Sequence, residues 1–76
     1  MSDLKNIAER PNEEIAKLKS RLNLTDEESV IFDMAMKDKT TTQMSNKLHI
    51  SDRTVYRRIK RIEKKIDLLE YLDMFK

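Results

Sequence analysis

Seventy-six residues with no cysteine, no glycine and a single histidine leave room for one small domain. They exclude disulfides, thiolate metal sites, a metal cluster built on histidine and a glycine loop that could cradle phosphate. The net charge is only +2, but residues 23–38 carry one Lys/Arg against five Asp/Glu, whereas residues 39–66 carry nine against two.

That imbalance, −4 in one segment and +7 in the next, points to an anionic partner for the second. No apolar run reaches the roughly 18 residues of a membrane span. The first residues alternate charged and apolar side chains rather than forming a secretory leader, so a cytoplasmic, DNA-associated location is expected. Apolar residues recur at three and four, not at two. The expected fold is all-α: a small domain of three to five helices with a helix-turn-helix, winged strands absent.

Residues 1–22 read as an N-terminal helical extension. Ser2 or Asp3 could cap a short helix with Leu4, Ile7 and Ala8 on one side; fraying is the alternative for a terminus. Pro11 suits the opening turn of a second helix, followed by Glu13 and Glu14 at the positive end of its dipole. Ile15, Leu18 and Leu22 form its apolar stripe. That stripe either packs on the domain or forms a seam between subunits. Asn23-Leu24 breaks the chain, and the core then spans residues 24–66.

Thr25-Asp26-Glu27-Glu28 is a capping box, threonine at the cap and glutamate three residues on. Ile31, Phe32, Met34 and Ala35 are the inner residues of that helix. Its three consecutive acids point apart and are explained by the dipole rather than by a metal. Asp38-Lys39 ends the helix, with Asp38 tolerant of the left-handed turn. Thr40-Thr41-Thr42-Gln43 is a second box. Met44 and Leu48 face inward, and Ser45 is small enough for close helix packing. His49 is expected at positive φ, Ile50 in the core, and Ser51 at the next cap.

The break His49-Ile50-Ser51 separates Thr41–Leu48 from Asp52–Ile66, the spacing of a helix-turn-helix. At about 100° per residue, Val55, Ile59, Ile62 and Ile66 fall in one stripe of the second helix. Arg53, Arg57, Lys60 and Lys64 fall opposite, flanked by Arg61 and Tyr56, with Arg58 and Lys65 on a shoulder nearer the core. Burying the branched stripe therefore turns a row of cations outward, and Glu63 is the one acid expected nearby. A helix fits the major groove, where arginine can bind guanine O6 and N7 through two hydrogen bonds. Arg53, Tyr56, Arg57 and Lys60 are the expected base contacts. Arg58, Arg61 and Lys64, with Thr41, Thr42 and Ser51, are the expected phosphate contacts. The structural alternative is a solubilising surface.

The stretches LTDEESVIFDMAM, TTTQMSNKLHIS and DRTVYRRIKRIEKKI resemble the helix-turn-helix of LuxR/NarL-type response regulators, and are similar also to region 4 of σ70-type factors. Ile50-Ser51-x-x-Thr54-Val55 followed by Ile59 carries most of the likeness. The resemblance implies base contacts at Tyr56, Arg57 and Lys60, structural roles for Val55 and Ile59, and a dimer through the last helix on a two-fold operator. Asp38 departs from the family's usual Gly and Ser45 from its usual Ala.

Residues 67–76 read as a helical tail whose leucines and aromatics either fold onto the N-terminal helix or meet a second copy. If dimeric, the half-sites are expected on one DNA face, near one helical turn apart. The expected function is sequence-specific binding of double-stranded DNA by a transcriptional regulator, a homodimer as the resemblance implies, with no cofactor, no metal and no membrane partner. The competing reading is a region-4-like module that binds RNA polymerase or another protein. An enzyme is not expected: there is no Cys, the one His falls in a turn, no Gly loop or buried-looking pair of carboxylates is present, and the chain is too short to shape a pocket of the usual several hundred Å³.

Overall fold

The computed structural model describes residues 4–74. Five helices follow in order: α1 (Leu4–Ala8), α2 (Asn12–Leu22), α3 (Asp26–Met36), α4 (Thr41–Leu48) and α5 (Asp52–Asp73). The described residues contain no strand, in agreement with the all-α expectation. The proposed caps on Ser2 and Asp3 lie outside them.

Local chemistry sets the helix starts. Thr25 Oγ1 accepts from the Glu28 amide at 3.2 Å while Glu28 Oε1 accepts from the Thr25 amide at 3.0 Å. Thr40 and Gln43 repeat the exchange at 3.1 and 2.8 Å. Ser51 Oγ accepts from the Thr54 amide at 3.1 Å. Each bond satisfies an amide that the first helical turn would otherwise leave unpaired. Pro11 opens α2 without a side-chain cap, since its ring fixes φ near the value required.

Turns are made without glycine. Asn23, Asp38 and His49 take φ of 54°, 60° and 58°, and Asn, Asp and His are the side chains that tolerate this region best. Asp38 and His49 behave as expected; at the Asn23-Leu24 break, Asn23 is the left-handed cap of α2.

Ile31, Phe32, Val55, Ile62 and Ile66 are fully enclosed. They form the centre of a core in which α5 packs across α3 and α4. Met44 joins from α4, and Leu48, Ile50 and Ile59 pack half-buried at its edge. The extension adds to the same core. Leu4 and Ile7 bury α1 against α3, and Leu18 and Leu22 bury α2. The stripe of α2 thus serves its own domain.

The helix over 52–66 and the helical tail expected after it are one element: α5 runs unbroken from Asp52 to Asp73. No Gly or Pro interrupts this stretch, and Leu69 packs against the core on the side facing α2. Ile62 is fully enclosed in this core, so Ile62→Ala is expected to destabilise the domain by about 2–5 kcal/mol through lost burial and the cavity left behind. The urea midpoint followed by far-UV circular dichroism measures this; an unchanged midpoint would place the core elsewhere.

Candidate nucleic-acid interface

The turn that aims α5 is held from both sides. His49 caps α4 in the left-handed region and donates its amide to the Ser45 carbonyl. The Ser45 hydroxyl donates to the Ile50 carbonyl, and the Ile50 amide returns to the Ser45 carbonyl at 3.2 Å. Ser45 therefore does more than permit close packing: it ties α4 to the turn before α5.

Beyond the turn, the enclosed Val55, Ile62 and Ile66 fix the rotation of α5. Arg53, Tyr56, Arg57, Lys60, Arg61 and Lys64 consequently emerge exposed along one side. Lys60 Nζ lies 5.3 Å from the centre of the Tyr56 ring and 3.5 Å from Glu63 Oε1. The Glu63 carboxylate, with a smaller effect from Tyr56, raises Lys60 above the ordinary ammonium value, so it stays charged. Arg53, Arg57, Arg61 and Lys64 have no carboxylate partner among the described residues. Four open cations on one exposed side, three of them guanidinium groups, are a surface suited to a polyanion.

The two shoulder cations pair with acids of α3, contacts that helix periodicity does not encode. Arg58 Nε donates to Glu27 Oε1 at 2.5 Å, and Lys65 Nζ to Glu28 Oε1 at 2.6 Å. The acids of α3 do more than complement its dipole. They dock α5, and they occupy Arg58, one of the expected phosphate contacts. Of the hydroxyl contacts expected, Thr42 is exposed and Thr41 half-buried at the start of α4. Ser51 is exposed with its oxygen engaged as a cap, 2.9 Å from the Thr54 hydroxyl.

Glu28 is 1% exposed, and its second oxygen, Oε2, has no hydrogen-bond partner. Burial pushes its carboxyl up, but the Lys65 ammonium and the Thr25 amide and hydroxyl outweigh burial and hold it below the ordinary value. A carboxyl depressed on folding stabilises the fold above its unfolded pKa of about 4.3 and loses that contribution as pH falls through the folded value. Acid titration of stability should therefore be shallower below about pH 4.5 in Glu28→Gln than in the original chain. Equal acid limbs in the two proteins would show that Glu28 is not the coupled group.

The family described as GerE, bacterial regulatory proteins of the luxR family, matches residues 22–71. No curated protein and no solved structure matches the chain.

Proposed function

The chain belongs to the luxR family of bacterial regulatory proteins, and from that premise we propose that it binds double-stranded DNA sequence-specifically by laying the N-terminal half of α5 in the major groove. The observation that supports this most is the open row itself: the enclosed branched stripe behind it fixes which cations face outward. Arg53, Tyr56, Arg57 and Lys60 lie on the groove floor in this reading. Arg61 and Lys64 meet phosphates beside Thr41, Thr42 and Ser51, and the first amides of α4 add partial positive charge toward the same strand. Arg58 joins them only by exchanging Glu27 for a phosphate.

The exposed leucines toward the end of α5 favour a protein contact beside the DNA contact. An RNA polymerase contact of the region-4 type is the second reading that they support.

Three variants separate the roles. Arg57→Ala is expected to lower affinity for a duplex chosen from a random pool far more than for bulk random DNA, by about 1–3 kcal/mol of discrimination. Lys64→Ala is expected to weaken both duplexes alike and to make the log–log salt slope shallower by about 0.9, one phosphate's share. Glu27→Gln acts in the opposite direction: it frees Arg58, so affinity should rise and the slope steepen by about the same amount. Fluorescence anisotropy across a salt series reads all three. An Arg57→Ala loss equal on every sequence would remove that residue from the groove floor.

A further inference from the structure

Glu63 is the acid that interrupts the cations of α5, and its two oxygens are divided between two tasks. Oε2 accepts from the Leu4 amide at 3.1 Å, and Oε1 lies 3.5 Å from Lys60 Nζ. The Glu63 side chain is only 13% exposed, whereas that of Lys60 is 56% exposed. Lys60 Nζ in turn stands 5.3 Å from the centre of the exposed Tyr56 ring. Tyr56, Lys60 and Glu63 are spaced four and three residues apart, so they stack along one flank of the helix. Amide, carboxylate, ammonium and phenol ring thus form one chain of contacts. It starts in the extension and ends among the expected base contacts.

The anchor of this chain is firm. Leu4 opens α1, whose first amides have no partner inside the helix, and a carboxylate from α5 takes one of them. Leu4 and Ile7 are buried against α3, which keeps that amide in place. Glu63 itself borders a hollow of about 150 Å³ lined also by Leu4, Lys5, Lys39, Met44 and Ile59. The family match begins at residue 22, so the amide that anchors Glu63 comes from outside it.

We infer that Glu63 is a positioning residue for DNA recognition: tethered by the Leu4 amide, it holds the Lys60 ammonium beside Tyr56 for a base edge and withholds it from phosphate. The inference rests on the DNA-binding reading for what Lys60 meets, and on the free chain for the hold itself. A lysine head on its four-carbon stem is a mobile point charge, free to settle on any phosphate within reach. Here a carboxylate and an aromatic ring restrict it. An ammonium has three donors; with one directed at Glu63, the others can serve a guanine O6 and N7 edge. The carboxylate behind the ammonium offsets its long-range attraction for phosphate but leaves those donors free to point. Sequence-independent affinity is given up, and base-dependent affinity is kept. Glu63 is not itself the reader of a base, because both its oxygens are engaged and little of it reaches solvent.

Glu63→Gln keeps an acceptor for the Leu4 amide and removes the charge. Fluorescence anisotropy with a duplex chosen from a random pool and with bulk random duplex, each across a salt series, reads the consequence. Affinity for bulk duplex is expected to rise, and its log–log salt slope to steepen by about 0.9 as Lys60 takes a phosphate. The ratio of chosen to bulk affinity should fall at least about fivefold, the lower end of what one good base contact discriminates. In a Lys60→Ala background Glu63→Gln should leave that ratio unchanged, because the effect travels through Lys60. Proton NMR of the full chain reads the hold without DNA. The ring current of Tyr56 should place the Lys60 ε-methylene protons upfield of an unstructured lysine, and Glu63→Gln should return them toward it. Affinities that rise by the same factor on both duplexes make Glu63 a general charge and overturn the inference, as does a loss of ratio that persists without Lys60. Lys60 protons with no upfield shift in the original chain overturn the hold, with no variant needed. A chain that binds neither duplex refutes DNA binding instead, and the shift alone then upholds or overturns the hold.

Discussion

Burial of Val55, Ile62 and Ile66 against α3 and α4 is the constraint from which the rest of the surface follows. Branched side chains hold few rotamers and pack in one orientation, so the rotation of α5 about its axis is fixed rather than averaged. Rotation decides which residues can be solvated. A helix with its charges set opposite such a stripe must present them together. The capping boxes at Thr25 and Thr40 and the left-handed turns at Asp38 and His49 bring α3 and α4 into place around it. None of them touches the ridge.

The carboxylates of α3 then sort the cations. Glu28 is enclosed and holds Lys65; Glu27 is half-exposed and holds Arg58. The two pairs differ in consequence. Removing Lys65 would strand a buried charge, which costs far more than the pair itself contributes. Arg58 and Glu27 keep water around them, and such exchanges are nearly balanced. The inner pair therefore acts as a fixed dock between α3 and α5. The outer one can open when a competing anion arrives. The crest of the ridge, beyond the reach of either acid, keeps its charge.

Much of this was legible in the chain because the chemistry is local. A capping box is four adjacent residues, and a left-handed turn is one, so both could be read from their own side chains. The buried stripe followed from spacing alone, and with it the exposed row. Longer-range features could not be read in this way. The ion pairs Arg58–Glu27, Lys65–Glu28, Arg21–Asp73 and Arg10–Glu70 join residues 31, 37, 52 and 60 positions apart. Their existence depends on how helices cross, which periodicity does not encode. The join between the helix over 52–66 and the helical tail is of a different kind: the side chains change from cationic to apolar after Ile66, which marks a change of surface and leaves the backbone helical to Asp73. The backbone responds instead to propensity, and Asp67-Leu68-Leu69-Glu70 contains no helix breaker.

The extension that precedes the family match explains why the acidic end of the chain does not cancel the ridge. Residues 1–21 lie outside that match, yet they reach α5 at three acids. The Leu4 amide donates to Glu63 Oε2 at 3.1 Å, Arg10 takes Glu70, and Arg21 takes Asp73. Each of these carboxylates has a partner in the extension, and Glu63 also lies 3.5 Å from Lys60 Nζ. Screening in water falls off over about 10 Å at moderate salt, so the location of a charge matters more than its presence in the sum. A chain of net charge +2 can in this way present a face as cationic as that of a far more basic protein. The same contacts bury Leu4, Ile7 and Leu18, and this anchors the arginines that hold the acids in place. Core packing and surface charge are thus set by the same short segment, and loss of its apolar anchors would return negative charge to the surroundings of the ridge.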